Sequence, residues 1–467
     1  MIKKRFSSLG GLKQTSALEN DAVLSDQRFT LDIALSPKVS SMVLAFLPLV
    51  IQAHKGKNWR FLTNKIQQHL RANKKLHSSE RRVVSEALFS IIRQFGRLIY
   101  LIEGPLHPAS IWASYLLLEY HESYRPNEIK SRLVSIWPTG LDYFLLLDRL
   151  KYLLNKKRED FFSPQSLADF YSYPVWLVEK CLLQYGREKT IALLDAQNQR
   201  APLTVRINTL KTTRENLIQE LFGLGISCLP TQHSLVGLVL NTRNNVYALQ
   251  PFLDGRMELQ DEGSQLIGPL VMPLPGIKVL DACAGAGGKT LLLGAMMNNQ
   301  GRLTALDIDE RKLVELRKRV RRSGLSNVYA QTISEKGAIS GCKPNSFDRV
   351  LCDVPCSGSG VFRRNPESKW QLTLKDLEFL PLKQLEILHR FASYVKPGGC
   401  LIYVTCSIFK EENEDVVELF LKQNQEFSLI PASTLLEVCK GNYLNLLPTL
   451  GGHDGFFAAV FSKQASV

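Results

Sequence analysis

The sequence predicts an α/β protein whose largest part, residues 251–467, is a doubly wound, Rossmann-like domain. A small α+β adaptor domain over 173–250 and a helical bundle over 36–172 are expected ahead of it, after an extension over 1–35. Three observations predict this. Beyond residue 251, short apolar strands alternate with amphipathic helices. The strand IKVLD at 277–281 runs through a glycine loop into an apolar helix over 291–297. Between 36 and 171, apolar residues recur at helical spacing. At 467 residues the chain is also too long for one ordinary domain.

In chain order, residues 1–35 lack sustained periodicity and read as a loose extension. Val83, Val84, Ala87, Leu88, Ile91, Ile92 and Phe95 form one helical stripe, and similar stripes run through 111–120 and 141–154. Lys55, Lys57, Arg60, Lys74, Lys75, Lys156, Lys157 and Arg158 recur between them and would give the bundle a basic surface. The apolar stretch 39–51 is broken by Ser40, Ser41 and Pro48. It reads as a core helix, short of the ~20 residues that a membrane span needs. The adaptor should hold a helix over 175–185, a strand over 204–208, a helix over 215–224 and short strands around 235–240.

Composition narrows the function classes. A hydrophobic fraction of 45% suffices for a sizeable core, and a net charge of +14 points to a polyanionic partner. Nine cysteines, an odd number without CxxC spacing, speak against a disulfide framework or a zinc site. The amino-terminal MIKKR is followed by a polar stretch where a signal peptide needs an apolar one. The expectation is a cytoplasmic monomer with reduced thiols, no metal and no membrane association.

The loop after the first strand reads Asp281, Ala282, Cys283, Ala284, Gly285, Ala286, Gly287, Gly288, Lys289, Thr290. A phosphate-binding loop GxxxxGK[ST] would need glycine at Cys283, and a dinucleotide fingerprint GxGxxG would need it at Thr290. Both fail. The next strand, 303–307, ends in Asp307, a carboxylate placed to accept hydrogen bonds from two ribose hydroxyls. Glycines and a ribose acid without a phosphate cradle fit a nucleoside cofactor such as S-adenosylmethionine.

Two more strands end in reactive residues. Strand 347–353 leads from Asp353 to Val354, Pro355, Cys356, Ser357 and Gly358, and strand 400–404 leads to Thr405, Cys406 and Ser407. Cys352 and Cys400, inside the strands, read as core. Ligands of open α/β sheets sit beyond the carboxyl ends of the strands, so Asp353, Cys356 and Cys406 should converge near Gly285 and Asp307. A thiolate that adds to C6 of cytosine makes C5 nucleophilic enough to take a sulfonium methyl group. Loss of the C5 proton and of the thiol then restores the ring. One cysteine must add, a second thiol can assist elimination, and a carboxyl near N3 and N4 helps the ring accept attack.

At these residues the chain resembles the RNA cytosine-C5 methyltransferase family, in particular its bacterial ribosomal-RNA class of RsmB/Sun type. The likeness covers about 173–461. It rests on the loop from Asp281, on DVPCSGSG from Asp353, on TCS at Thr405–Cys406–Ser407, and on RRNPESKW from Arg363. RIN from Arg206, QDEGSQ from Gln260 and DGFF from Asp454 add to it. The resemblance implies that Cys406 is the nucleophile and that Cys356 assists release, the reverse of a DNA cytosine methyltransferase. It further implies cofactor contacts from Cys283, Ala284, Gly285, Ala286, Gly287, Gly288, Lys289, Asp307 and Asp353. Two positions depart from the family pattern: Ala286 stands where proline is common, and Ser334 stands where an acid after the third strand is usual. Ser334 would then make a neutral cofactor contact.

RNA must present its target base unstacked. Arg206, Arg363, Arg364 and Lys369 are the expected phosphate contacts, with ribosomal RNA favoured over tRNA as partner. The run Arg317, Lys318, Arg319, Arg321 and Arg322 lies on a helix whose apolar face is Leu313, Leu316 and Val320, and reads as a solvated face. Two alternatives differ in substrate or class: the same chemistry on tRNA, and a catalytically silent RNA-binding factor that retains the fold. The silent factor would lack the cysteines.

Overall fold

Strands that read as nearly continuous apolar runs need cover on both faces, and the carboxyl-terminal part of the chain supplies it. A computed structural model describes residues 30–465 apart from 57, 60, 61, 74, 157–162 and 242–244. The described chain divides into two units. One holds the residues up to Thr190 together with Asn365–Gln371; the other holds Ile191–Arg364 and the residues from Leu372 onward.

The second unit begins with a four-stranded antiparallel sheet of β1 (Leu203–Ile207), β2 (Ser227–Pro230), β3 (Gly237–Asn241) and β4 (Met257–Leu259), in the order β2-β3-β1-β4. Helix Arg214–Gly223, capped by the Thr213 hydroxyl accepting from Asn216 N, packs Leu217 and Leu221 against Val205, Ile207 and Leu238. The fourth strand lies past the expected limit at 250. Three residues are too few for a period-2 signal, which is why the sequence does not show it.

The larger sheet contains β5 (Lys278–Asp281), β6 (Arg302–Asp307), β7 (Val328–Thr332), β8 (Phe347–Asp353), β9 (Val395–Thr405), β10 (Phe427–Ile430), β11 (Leu444–Leu446) and β12 (Phe456–Lys463). Its order is β10-β12-β9-β8-β5-β6-β7, with β11 beside β12. The five strands from β7 to β9 run parallel, whereas β12 is antiparallel to β9 and β10 to β12. Period-2 alternation divides the core. Leu280, Cys352, Leu401 and Tyr403 face Leu388, Phe391 and Phe420 of helices Leu374–Ala392 and Glu414–Gln423. Val279, Leu351, Cys400 and Ile402 face Leu270, Val271 and Leu293 on the other side. Cys352 and Cys400 are thus core residues on opposite faces. The chain moves outward from β5 through β6 to β7, then returns to β8 on the opposite flank of β5. That reversal opens a crevice beyond the carboxyl ends of β5 and β8. This is the predicted doubly wound architecture.

The first unit is helical, from Pro37–Lys55 through Ser78–Arg93 and Pro108–Tyr120 to Tyr143–Asn155 and Pro164–Tyr171. Val84, Leu88, Ile91, Ile92 and Phe95 of the predicted stripe are fully buried beside Leu47 and Trp112. Truncating one of these aliphatic side chains to alanine costs about 2–5 kcal/mol. Stretch 39–51 lies within a helix that buries Val39, Val43, Leu47 and Val50. No helix among the described residues is long and apolar enough to cross a membrane. Residues 30–34 are already helical and bury Leu31 and Ala34, so order begins inside the stretch read as an extension. The rest of that stretch, 1–29, lies outside the described residues, as do Lys57, Arg60, Lys74, Lys157 and Arg158. Lys55 and Lys75 are exposed, and the Lys156 ammonium sits 4.5 Å from the Tyr152 ring centroid.

Candidate active site

The glycine loop needs main-chain conformations that side chains resist. Gly285 (φ +55) and Gly287 (φ +90) lie in the left-handed region. A Cβ on Gly285 would meet nothing within 4 Å, whereas one on Gly287 would reach the Leu316 side chain at 2.8 Å. The loop is tied to β6 by Ala284 N to Leu306 O, 2.8 Å, and by Gly285 N to Asp307 Oδ2, 2.8 Å. Asp309 N donates to Asp307 Oδ1, also at 2.8 Å, which orients the carboxylate and leaves each of its oxygens a free lone pair.

Asp281, at the end of β5, is buried. Its Oδ2 accepts from the Thr290 hydroxyl at 2.7 Å, while Oδ1 has no hydrogen-bond partner among the described residues. Burial, with the charges of Asp353 and Asp307 nearby, pushes this carboxyl up to about 7. Three carboxylates thus line the strand ends. An oriented diol acceptor, an open glycine and an unpartnered buried carboxylate oxygen suit a nucleoside that carries positive charge, so S-adenosylmethionine fits the residues present. Burial raises the Cys283 thiol, with Asp281 and Asp353 adding to the effect, so this cysteine is poorly suited to act as a nucleophile. Ile333 N donates to Asp307 O at 3.0 Å, which sets the exposed Ser334 beside the end of β6. The Ser334 hydroxyl donates to Lys336 O at 2.6 Å, inside its own loop.

Beyond β8 and β9 the two cysteines meet. Cys356 Sγ and Cys406 Sγ are 3.2 Å apart, and Cys406 N donates to Cys356 Sγ at 3.3 Å. The contact with Cys406, followed by burial and by the charge of Glu412, holds the Cys356 thiol well above its ordinary value. Lys289 Nζ donates to Asp353 Oδ2 at 2.7 Å and lies 5.2 Å from the Phe456 ring centroid. Burial works against the Lys289 charge, but Asp353, with help from Cys406, carries its pKa upward. Asp353, Cys356, Cys406 and Lys289 are therefore brought together at the strand ends.

The loops are fixed by side chains to which the sequence assigned no role in the site. Glu412 is fully buried, and its carboxylate accepts from Ser357 N at 2.8 Å, Gln384 Nε2 at 2.9 Å, and the hydroxyls of Ser357 and Ser407. Asn413 bridges the hydroxyl of Thr405 and Ser407 O. Gly360 N donates to Cys406 O at 2.9 Å and Gly360 O accepts from Gly455 N at 2.9 Å. A Cβ on Gly360 would lie 2.5 Å from Gly455 O, so only glycine fits. On the cofactor side, Arg319 Nη1 donates to Ala286 O at 2.8 Å. Glu412 and Arg319 sit in charge runs that ordinarily mark solvated faces, which hides them from sequence reading.

Of the four expected phosphate contacts, Arg206, Arg363 and Lys369 are buried, and Arg364 keeps an exposed edge. Arg363 is buried; its guanidinium pairs with Asp454 and donates to Thr449 O at 3.0 Å and Gly452 O at 2.6 Å. Arg364 pairs with Asp454 and with Asp261 at 2.9 Å, and its side chain keeps 34% exposure. Arg206, 2% exposed, stands opposite Glu258 in the β1–β4 register, and burial lowers it to about 10. Lys369 is buried in the first unit, where Nζ donates to Arg93 O at 2.8 Å while the Trp370 indole donates to Ile92 O at 2.9 Å and stacks on Trp59. Buried arginines and lysines with such partners hold structure together and present no charge to a phosphate. In the run at 317–322, Arg319 and Arg322 pair inward with the buried Glu258, whereas Arg317 and Lys318 pair with Glu310 and Glu315 at the surface.

Comparison with known proteins agrees with the motif resemblance. Residues 270–462 match the family described as 16S rRNA methyltransferase RsmB/F, and residues 173–247 match the ferredoxin-like domain of RsmF/B-like methyltransferases. A probable ribosomal RNA small subunit methyltransferase B of Bacillus subtilis (strain 168) is 32% identical over 305 residues, covering 64% of this chain and 68% of that protein. Ribosomal RNA small subunit methyltransferase B of Escherichia coli (strain K12) is 29% identical over 404 residues, covering 84% and 92%. The crystal structure of PH0851 has a TM-score of 0.73 at 26% identity and covers 91% of this chain and 99% of its own. A methyltransferase homolog protein from Pyrococcus horikoshii has a TM-score of 0.55 at 27% identity, covering 65% and 100%. With the crevice described above, these likenesses establish that the chain belongs to the RsmB/F family of 16S rRNA methyltransferases and takes S-adenosylmethionine as its cofactor.

Proposed function

We propose that this chain methylates C5 of a cytosine in RNA, with small-subunit ribosomal RNA as substrate, through a covalent bond between Cys406 and C6 of the base. The observation that carries the reading is the pair of thiols 3.2 Å apart at the ends of adjacent strands, beside the Lys289–Asp353 pair. The printed names of the curated relatives, ribosomal RNA small subunit methyltransferase B, support the substrate.

S-adenosylmethionine supplies an electrophilic methyl group. Gly285 and Gly287, with Cys283, Ala284, Ala286, Gly288 and Lys289 around them, would hold it along the loop. Asp307 would take the ribose hydroxyls, and the unpartnered oxygen of Asp281 would face its ammonium. Ser334 would offer a neutral contact.

The remaining work belongs to the chain's own residues. The Cys406 thiolate forms a bond to C6, and the displaced electron pair makes C5 the nucleophile that takes the methyl group. Asp353, fixed by Lys289, faces N3 and N4 and favours the ring that carries the added electrons. Removal of the C5 proton returns that electron pair to the ring; the C5–C6 double bond re-forms as the C6–S bond breaks, and Cys406 leaves as thiolate. Cys356 assists this release. Both thiols must stay reduced, which suits the cytoplasm.

The test is incubation with methyl-labelled cofactor and, separately, deproteinised small-subunit rRNA and tRNA. The expected product is labelled 5-methylcytosine in the rRNA. Label in tRNA alone would overturn the substrate, and label at another atom of the base would overturn the chemistry.

A further inference from the structure

We propose that Glu412 is a positioning residue that sets the spacing of the two thiols by tying the loop after β8 to the loop after β9. The proposal rests on the two-cysteine reading above.

The geometry is specific. One oxygen of the carboxylate accepts from Ser357 N and from Gln384 Nε2, and the other accepts from the hydroxyls of Ser357 and Ser407. Ser357 follows Cys356 and Ser407 follows Cys406, so a single buried anion grips the residue next to each sulfur. Gln384 extends the grip, because its Nε2 also donates to Pro355 O at 3.1 Å, on the other side of Cys356. Gln384 is held in turn by the Tyr403 hydroxyl, which donates to its Oε1 at 3.0 Å. Ser407 and Ser359 exchange a further hydroxyl contact at 3.1 Å, and Ser359 Oγ accepts from Ile408 N at 2.9 Å. A carboxylate with no exposure is costly unless its lone pairs are filled, and four donors fill them here. Nothing about core packing requires an acid at this point. Its pattern of acceptance is what links the loops, and its charge adds to the high proton affinity of Cys356 after the Cys406 contact and burial.

Positioning is read most directly by a probe that needs both sulfurs at once. Phenylarsine oxide condenses with two neighbouring thiols, forming two As–S bonds and releasing one water, with no change in the oxidation state of sulfur. The full-length wild-type protein should capture one equivalent that neither Cys356→Ala nor Cys406→Ala can hold. Glu412→Gln keeps one carbonyl oxygen for Ser357 N and Gln384, and its amide can donate to the two hydroxyls, so capture and kcat should stay near wild type. Glu412→Ala should lose tight capture and about 100-fold in kcat, with the KM for cofactor nearly unchanged, because a misplacement of about 1 Å suffices for such a loss. If Glu412→Ala does not fold, Ser407→Ala removes one of the four bonds, and capture and kcat should both fall to a smaller extent. Capture and kcat equal to wild type in Glu412→Ala or Ser407→Ala would overturn the proposal, and so would a Glu412→Gln protein as impaired as Glu412→Ala. Failure of the two-cysteine reading shows separately, as wild-type protein that captures the arsenical while Cys356→Ala protein accumulates no adduct with RNA.

Discussion

At the ends of β5 and β6 the crevice is shaped by main chain: two glycines with positive φ, a helix that starts at Gly288, and an Asp307 carboxylate oriented by two backbone N–H groups. At the ends of β8 and β9 it is shaped by side chains brought from far along the sequence. Glu412 and Gln384 hold the loops on one side, and Arg363 and Asp454 form a buried ion pair in the neighbouring DGFF turn. The two sides face different tasks. A cofactor is recognised by shape and by a few hydrogen bonds, whereas two sulfurs must be held at one distance while one of them forms and breaks a covalent bond. A rigid network of buried polar groups suits the second task, at the cost of heavy dependence on each member.

That contrast can be broken at several points, in order of expected effect. Arg363→Ala leaves Asp454 buried without one of its two arginine partners and should destabilise the protein by about 3–5 kcal/mol in denaturant titration. A phosphate contact at this position would instead spare stability and lower the salt dependence of RNA binding. Asp307→Ala acts on the cofactor side. It should weaken cofactor binding by about 10- to 100-fold in calorimetry, as expected for losing hydrogen bonds to a charged group. Equal affinity would show that the ribose is held elsewhere. Gly360→Ala forces a Cβ against Gly455 O and should cost about 1–3 kcal/mol, read as a lower denaturation midpoint. An unchanged midpoint would mean that the two turns separate freely.

A pH response at Asp281 sharpens the cofactor side of the contrast. Its carboxyl is raised in the folded state from 3.8 to about 7, so between those values the native protein binds more protons than the unfolded chain. Cofactor-free stability should therefore decline as pH rises from about 4 to about 7, then level off. Asp281→Asn should flatten that part of the profile. Cofactor affinity should move the opposite way in the wild type, rising with pH through 7 as the carboxylate gains the charge that attracts a cation. A stability profile that is the same in the Asn variant would contradict the assignment.

The same contrast explains what the sequence could reveal. The cofactor side is local. Asp281 to Lys289 and Asp307 lie on consecutive strand–turn units, so glycine spacing and a strand-end acid disclose it. The cysteines were legible because the strands that carry them have strong apolar patterns and stop where the thiols begin. Glu412 was hidden because the run from Lys410 to Asp415 looks like solvated surface, and only the tertiary fold shows that one of its acids is buried. Three basic residues depart in the opposite direction. Arg206, Arg363 and Lys369 are charged residues in recognisable motifs, and charge suggested an anionic partner, but each is buried. Burial of a charge depends on partners distant in sequence, such as Asp454 for Arg363, and no periodicity records them. Strand β4 was missed for a simpler reason, its length of three residues.

The division of labour between the two thiols is tested most directly by trapping. Cys356→Ala and Cys406→Ala proteins are incubated with substrate RNA and cofactor, denatured, digested with ribonuclease, and mapped by mass spectrometry. The account predicts that Cys356→Ala accumulates a nucleotide-bearing peptide modified at Cys406, while Cys406→Ala forms none and is inactive. A stable adduct on Cys356 in the Cys406→Ala protein would contradict it.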